Sequence, residues 1–254
     1  MRWRDDQLVM LREIGIRFWP APEEAPEPEA AIAAPEDLAT PSRAPVAARS
    51  ALAGALPDTA SPVATLDWPA LREAVAACTA CTLCETRRQT VFGVGNPRAH
   101  WMIVGEAPGE QEDRQGEPFV GKSGQLLDNM LRAIGLTRGD AEPARQVYIA
   151  NTLKCRPPGN RNPLPDELAK CEAFLIRQVQ LLQPKVILAM GAFAVQSLLR
   201  SSEPVGRLRG RVHRYQGVPL IVSYHPAYLL RNPIDKAKAW DDLCLAVEAL
   251  HSSS

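Results

Sequence analysis

The strongest constraint on the fold of this chain is a set of four short apolar runs, separated by longer amphipathic segments. The runs lie at 101–105, 146–151, 185–190 and 220–224. Each is apolar at consecutive positions and too short for a helix, as is typical of strands that are buried on both faces. The amphipathic segments predict helices near 68–78, 122–135, 165–182, 191–200 and 236–251. Because strand and helix alternate, we expect an α/β fold with a mainly parallel sheet covered by helices on both faces.

The N-terminal part has the composition of a linker. Residues 20–66 contain nine prolines and few large apolar side chains, so they cannot bury enough surface to offset their chain entropy. We therefore divide the chain into a short amphipathic peptide at 1–20, a disordered Pro/Ala/Glu-rich linker at 21–66 and a folded domain at 67–254. The sequence has no secretory signal and no run of about 18 apolar residues. We expect a monomeric, cytoplasmic protein without a membrane span.

The net charge of zero hides an uneven distribution. Residues 67–254 contain 23 Lys and Arg against 19 Asp and Glu, whereas residues 21–66 contain seven acidic residues against two arginines. A mildly basic domain is compatible with a nucleic-acid partner, but an excess of this size is common in unrelated enzymes. Charge alone therefore does not identify a partner.

One carboxylate, one amide and one imidazole are placed at the ends of predicted strands. Glu106 follows the first strand, Asn151 ends the second and His225 follows the fourth. Open parallel sheets bind ligands beyond the carboxyl ends of their strands, so we expect these three residues in one site. Taken singly, each has a structural explanation as a turn former, a helix cap or a solvated acid. Phe119 is either a core aromatic or a surface on which a nucleobase stacks.

These groups suit the chemistry of a uracil base. An amide offers a donor and an acceptor, which match the N3–H and O4 edge of uracil, whereas cytosine presents the opposite pattern. An imidazole N–H of His225 directed at O2 would stabilise a departing uracil anion. Glu106 would either stabilise a cationic sugar or orient the attacking water.

The cysteines point to a metal site. In a reducing cytosol, six cysteines are better explained as metal ligands or redox groups than as disulfides. Cys78 and Cys81 form a CxxC pair, and Cys155 and Cys171 follow at a distance, so the four thiolates can complete one site. The spacing leaves zinc and iron–sulfur open. Cys84 extends the first motif to CxxCxxC and leaves the choice of ligands open as well.

Three segments, in matching order and spacing, resemble the bacterial and archaeal iron–sulfur uracil-DNA glycosylases, often called family four. They are GEAPGEQEDRQGEPFVGKSGQLL (105–127), NTLKCRPPGNRNPLPDE (151–167) and HPAYLLRNP (225–233). The resemblance implies a three-layer α/β/α sandwich around a four-stranded, mainly parallel sheet. It implies a 4Fe-4S cluster bound by Cys78, Cys81, Cys155 and Cys171. It also implies monofunctional hydrolysis of the N-glycosidic bond of uracil in single- or double-stranded DNA, which leaves an abasic site for base excision repair.

The resemblance further implies roles for single residues. Phe119 stacks on uracil, Asn151 recognises its edge, His225 contacts O2 and Glu106 is the acid of the first motif. Gly105 and Ala107 flank this acid and contact the substrate. The best-known branch of the superfamily has GQDPY at the first motif, whereas this chain has Ala107 in place of the aspartate and Gly109 in place of the tyrosine. Water activation and exclusion of thymine must therefore differ in this chain.

Two segments are predicted to contact DNA. Leu229, Leu230 and Arg231 resemble the wedge that fills the gap left by a flipped nucleotide. The second segment contains regularly spaced arginines, which are Arg207, Arg209, Arg211 and Arg214. On a β-hairpin this spacing would place the arginines on one face, either to contact phosphates or as a solvated edge.

Two other functions stay open. One is a uracil-binding protein that is trapped covalently through a histidine in a basic insertion, which the segment CRPPGNRNPLP (155–165) lacks. The other is a cluster-bearing, DNA-binding scaffold without turnover.

The N-terminal peptide has likenesses of its own. LREIGIRFWP (11–20) resembles the peptide by which the psi subunit of the bacterial clamp loader holds the motor subunits, and QLVML (7–11) weakly resembles a sliding-clamp motif. Residues 1–20 therefore predict either a clamp-loader or clamp contact or docking on the chain's own catalytic domain.

Overall fold

The computed structural model describes residues 62–252. Its strands are β1 (Val94–Gly95), β2 (Trp101–Gly105), β3 (Val147–Asn151), β4 (Val186–Met190), β5 (Val212–Tyr215) and β6 (Val218–Ser223). Its helices are α1 (Trp68–Ala76), α2 (Leu83–Thr86), α3 (Glu110–Gln115), α4 (Lys122–Ala133), α5 (Pro165–Leu182), α6 (Ala192–Leu199), α7 (Val205–Leu208), α8 (Pro226–Arg231) and α9 (Lys236–Ser252), with 3-10 turns at Pro158–Asn160 and Pro233–Asp235. The peptide at 1–20 and nearly all of the linker lie outside the described residues, so the clamp-related contact stays a prediction.

The strands form one six-stranded sheet in the order β1-β3-β2-β4-β6-β5. The four inner strands are parallel and correspond to the four predicted strands. β1 and β5 add antiparallel edges, so the expected count of four was two too low. Neither edge strand is a continuous apolar run, because β1 has only two residues and β5 is mostly exposed. The α/β fold itself is confirmed.

Helices cover both faces of the sheet. On one face, alternate strand residues such as Val104 and Ala189 pack against Leu175 of α5 and Val195 of α6. On the other face, the intervening residues pack against α4 and α9, and the principal contacts include Ile103, Leu188, Leu127, Leu131, Leu243 and Ala246. Each inner strand is therefore buried on both sides, which explains its continuous apolar sequence.

Helix α1 joins the N-terminal end of the described chain to this core. Asp67 begins the helix by accepting a hydrogen bond from the Ala70 N–H at 3.0 Å, as N-cap residues do. The apolar face of α1 packs in a cluster that also contains Val63 and Leu66. Packed contacts therefore begin slightly ahead of residue 67. Within residues 62–252, no helix has both the length and the apolar character that crossing a membrane requires.

The arginine-rich segment differs from the predicted hairpin. Arg207 lies in α7 and only Arg214 lies in β5, so the four arginines do not share one face of a hairpin. The Arg209 guanidinium lies 2.9 Å from the Asp242 carboxylate, whose side chain is fully buried. A second contact, from Arg209 Nε to the same carboxylate, measures 3.2 Å. Arg209 therefore forms a structural ion pair that joins the segment after α7 to α9, and its DNA contact stays a prediction.

We expect Arg209→Met to destabilise the fold strongly. The substitution leaves the Asp242 carboxylate buried without its partner, which costs about 3 to 5 kcal/mol. Urea denaturation measures the loss. Arg207→Met is the matched control and should unfold like the wild type, while Arg209→Met/Asp242→Leu should recover most of the lost stability. An Arg209→Met protein as stable as the wild type would contradict the structural assignment.

Candidate active site and cysteine cavity

A cleft opens at the carboxyl ends of the parallel strands. Four residues that the sequence predicted as site residues line it together: Glu106, Phe119, Asn151 and His225. Ala107 and Arg231 line it as well. Several other residues line the cleft that were not predicted as site residues, which include Gln111, Glu112, Ser123, Asn160 and Arg161. Glu106 and His225, more than 100 positions apart in sequence, thus meet because β2 and β6 are parallel strands of one sheet with β4 between them.

The floor of the cleft depends on the absence of a side chain at Gly105. Asn151 pairs with Gly105 across β2 and β3, and its side chain is only 2% exposed. A Cβ atom on Gly105 would lie 2.5 Å from Asn151 Oδ1 and 2.7 Å from the Phe119 ring. Both distances are too short for an ordinary contact. Glycine therefore lets the amide and the aromatic ring approach each other at this point.

The backbone of Phe119 is held in an unfavourable conformation. Its φ angle is +55°, in the left-handed region that bulky residues rarely adopt. A Cβ atom on Gly124 would lie 1.8 Å from the Phe119 carbonyl oxygen, so the first turn of α4 packs directly on this peptide. The adjoining residue, Val120, donates its N–H to the Glu112 carboxylate at 3.1 Å. These contacts fix the direction of the Phe119 ring.

Glu112 is a positioning residue that sequence reasoning missed. Besides the Val120 N–H, its carboxylate accepts the Gly109 N–H at 3.1 Å. It therefore joins the loop after β2 to the segment that holds Phe119. No sequence pattern indicates this role, because an acid in the first turn of a helix is usual for electrostatic reasons alone.

His225 is a neutral hydrogen-bond donor. It caps α8, and its Nδ1 accepts the Ala227 N–H at 3.1 Å. The proton of the neutral ring must therefore be on Nε2. Burial, with a smaller effect from the Arg231 charge, lowers the pKa of His225 to about 4. The ring stacks on Phe119 with centroids 5.2 Å apart, so its orientation is fixed by two independent contacts.

Glu106 supplies an anionic group to the same cleft. Its carbonyl oxygen accepts hydrogen bonds from the Thr152 hydroxyl at 2.6 Å and the Leu153 N–H at 3.0 Å. The loop after β2 is thus attached to the loop after β3. Burial raises the pKa of the Glu106 carboxyl above its ordinary value. The cleft therefore combines a partly desolvated acid with a neutral imidazole donor.

Helix α8 exposes only part of the predicted wedge. Leu229 is 1% exposed and belongs to the interior, which is an unfavourable position for its predicted DNA contact. Leu230 is 44% exposed, and Arg231 lines the cleft. The Tyr228 hydroxyl donates to Asp235 at 2.7 Å and attaches the helix to the following turn. Sequence periodicity did not distinguish the two leucines, because the helix has only six residues.

The four predicted metal ligands line a second, smaller cavity. Cys78, Cys81, Cys155 and Cys171 surround it, together with Cys84. Burial raises the pKa of Cys155 and raises that of Cys171 to about 12, and the charge of Cys78 raises both further. Among residues 62–252, no three Cys, His, Asp or Glu side chains form a ligand group for a single metal ion. The sulfurs are instead arranged around a shared space.

Two of these sulfurs accept hydrogen bonds from basic residues. The Arg87 guanidinium donates to Cys155 Sγ at 3.0 Å, and the Lys154 N–H donates to Cys171 Sγ at 3.3 Å. Burial lowers the pKa of Lys154 to about 8, while the Cys171 and Cys155 charges act in the opposite direction. Isolated buried thiols do not ionise readily, whereas thiols that bind a metal centre are thiolates. Buried sulfurs that accept hydrogen bonds, one from a guanidinium and one from a main-chain N–H, therefore fit a thiolate-bound centre.

Comparisons with known proteins identify the family. The model of the uracil DNA glycosylase superfamily matches residues 92–244. A Type-4 uracil-DNA glycosylase of Archaeoglobus fulgidus is 43% identical over 167 residues, which cover 63% of this chain and 81% of that protein. The Type-4 enzyme of Thermotoga maritima is 43% identical, with the same coverage of both chains. The Type-4 enzyme of Pyrobaculum aerophilum is 39% identical over 71% of this chain and 93% of its own length.

Proposed function

The chain belongs to the Type-4 uracil-DNA glycosylases of the uracil DNA glycosylase superfamily, and we propose that its cleft removes uracil from DNA by hydrolysis of the N-glycosidic bond. The observation that supports this site is the meeting of Asn151, Phe119 and His225 in one cleft. The product is DNA with an abasic site, the substrate of later steps of base excision repair. Neither non-catalytic alternative accounts for a neutral imidazole and a partly desolvated carboxyl in the same cleft.

Recognition of uracil is assigned to Asn151 and Phe119. A flipped uracil lies against the ring of Phe119, where the amide oxygen of Asn151 accepts its N3–H and the amide nitrogen donates to O4. Cytosine has an acceptor at N3 and a donor at position 4, so it would meet two mismatched groups. Because Asn151 is almost fully buried, no water is available to satisfy those groups, and the mismatch is costly.

Bond cleavage follows from the charges in the cleft. As the glycosidic bond breaks, negative charge develops on uracil O2, and His225 Nε2–H donates to that oxygen. The sugar becomes cationic, and a carboxylate at Glu106 stabilises it and orients the water that captures it. Because His225 is neutral, it does not oppose the positive charge of the sugar.

Glu106 is the best placed of the cleft glutamates for this role. The Glu112 carboxylate is occupied by the Gly109 and Val120 N–H groups. Glu110 pairs with Arg114 and lies 3.7 Å from Arg156. The Glu106 carboxylate has no such partner in the part of the chain that the structure describes. We therefore assign to Glu106 the water-orienting role of the aspartate in the GQDPY motif, a position that Ala107 occupies in this chain.

No lysine is among the described residues that line the cleft. A Schiff base between the enzyme and the sugar requires such an amine. We therefore expect the abasic site as the end product, without strand cleavage.

DNA contact is assigned to the exposed residues around the cleft. Leu230 fills the gap that the flipped nucleotide leaves, and Arg231 contacts the adjacent backbone. Arg207, Arg211 and Arg214 remain candidates for phosphate contacts, whereas Arg209 is committed to Asp242. Such contacts would make DNA binding sensitive to salt.

We further propose that Cys78, Cys81, Cys155 and Cys171 bind a 4Fe-4S cluster. The shared cavity, the Arg87 guanidinium at Cys155 and the Lys154 main-chain N–H at Cys171 support this assignment. When bound, the cluster acts as a structural staple between the CxxC segment, the loop after β3 and helix α5. The residues around it supply N–H donors to the sulfurs and an apolar wall.

Elemental analysis tests the cluster. We expect about four iron atoms per chain in the purified protein, which should be brown. Cys171→Ser should lose iron and stability together. Cys84→Ser is the matched control, since Cys84 lines the same cavity outside the assigned ligand set, and it should retain the iron. A zinc-bound wild type would contradict the assignment.

The excision assay tests the active site. The wild type should produce alkali-sensitive abasic sites in an oligonucleotide with one uracil. His225→Ala should lower the single-turnover rate by on the order of 10²-fold or more, because it removes the donor to O2. His213→Ala is the control, since His213 lies on β5 and contacts the Leu208 carbonyl. A wild type without product would refute the proposed function, and an unchanged rate in His225→Ala would refute that residue's role.

The pH dependence tests the charge states. Activity should fall on the acid side as Glu106 becomes protonated, because the raised pKa of this group brings its loss of charge to higher pH. Protonation of His225, with a pKa of about 4, should follow only at lower pH. In Glu106→Gln, the residual rate should therefore show no inflection near the ordinary histidine pKa of 6.5. Such an inflection would contradict the neutral donor.

A further inference from the structure

One buried lysine lies between the cysteine cavity and the uracil cleft. Lys154 follows β3, and its side chain is 1% exposed. Its ammonium group donates to the main-chain oxygen of Asn151 at 2.8 Å and to Gln178 Oε1 at 2.7 Å. The main-chain N–H of Lys154 donates to Cys171 Sγ at 3.3 Å. A single residue thus contacts both a proposed cluster ligand and the residue assigned to recognise uracil.

Gln178 fixes where the ammonium group lies. Its side chain is fully buried, and its amide nitrogen donates to the Phe92 carbonyl at 2.9 Å and to the Tyr148 hydroxyl at 3.2 Å. Both amide protons are therefore used, so the amide cannot turn over without losing two hydrogen bonds. Its oxygen must face Lys154. The ammonium group is consequently held in one position beside the end of β3.

The cysteine cavity supplies the missing countercharge. Burial of an ammonium group among neutral oxygens is unfavourable unless an anion lies nearby. Among residues 62–252, the hydrogen bonds of the Lys154 ammonium group go only to the neutral oxygens of Asn151 and Gln178. Lys154 also lines the cavity that the cysteines surround. Thiolates bound to a metal centre there would offset its charge.

We propose that Lys154 is a positioning residue that couples the occupied cysteine cavity to uracil recognition. Its main-chain N–H anchors Lys154 to Cys171 Sγ at the cavity wall, and its ammonium group holds the carbonyl of Asn151. The Asn151 amide is thereby fixed at the distance and angle that the uracil edge requires. Misplacement of such a group by about 1 Å can cost on the order of 10²-fold in rate. This inference rests on the proposed role of Asn151.

Lys154→Met tests the coupling, because it keeps a similar length and apolar stem but removes the charge and the donor. We expect the variant to retain its iron and to bind DNA that contains 2′-fluoro-2′-deoxyuridine, an uncleaved analogue, at least about 10-fold more weakly than the wild type. Its affinity for the same duplex with a tetrahydrofuran abasic analogue should be unchanged. A merely structural role of Lys154 would not separate these two ligands.

Lys170→Met is the matched control. Lys170 also lines the cysteine cavity, but its ammonium group pairs with Asp166 at 2.7 Å and is 44% exposed. This variant should equal the wild type in iron content and in both affinities. If Lys170→Met weakens analogue binding as much as Lys154→Met does, the loss of any positive charge near the cysteine cavity explains the effect, and the inference is overturned.

The remaining outcomes are equally decisive. An iron-loaded Lys154→Met protein with wild-type affinity for the analogue overturns the inference but leaves the proposed function intact. Absence of uracil excision by the wild type refutes the proposed function itself. If Lys154→Met does not fold, Gln178→Leu replaces it, because that change removes the second anchor of the ammonium group. It should weaken analogue binding in the same direction with iron retained, and unchanged binding overturns the inference.

Discussion

The close approach of β2 and Phe119 at Gly105 is the constraint on which the site depends. Any side chain at this position would overlap the Asn151 amide and the Phe119 ring. The ring in turn requires the left-handed backbone of Phe119, the bare surface of α4 at Gly124 and the two hydrogen bonds of Glu112. The proposed recognition of a flat base therefore depends on main-chain packing at the sheet edge, which holds the side chains of the cleft floor in place.

The charges of the cleft are distributed to suit one reaction. A neutral donor at His225 and an acid at Glu106 match the negative base and the positive sugar that separate when the glycosidic bond breaks. Burial is the main cause of both pKa shifts, because it lowers the pKa of the imidazole and raises that of the carboxyl. The same loop system continues from Asn151 through Lys154 to Cys155, so the proposed metal centre and the base-recognition site share one segment of main chain.

Most of the fold and site could be predicted from sequence for clear physical reasons. The inner strands are buried on both faces, so their apolar runs are unmistakable, and the residues that follow β2, β3 and β6 meet because these strands run parallel in one sheet. Edge strands such as β5 lack that signal. The ion pair of Arg209, the burial of Leu229 and the hydrogen bonds of Glu112 and Lys154 could not be predicted, because they depend on tertiary partners such as Asp242 and Gln178. Local pattern does not distinguish a buried charged or apolar residue from an exposed one on a short helix or loop.

The most direct test of uracil recognition in this cleft is a crystal structure of the protein with DNA that contains 2′-fluoro-2′-deoxyuridine. We expect a flipped uracil against Phe119, with its N3–H and O4 paired to the Asn151 amide and its O2 within hydrogen-bonding distance of His225 Nε2. A uracil that stays stacked in the duplex, or one that enters the cleft without contacting Asn151 and His225, would contradict this expectation.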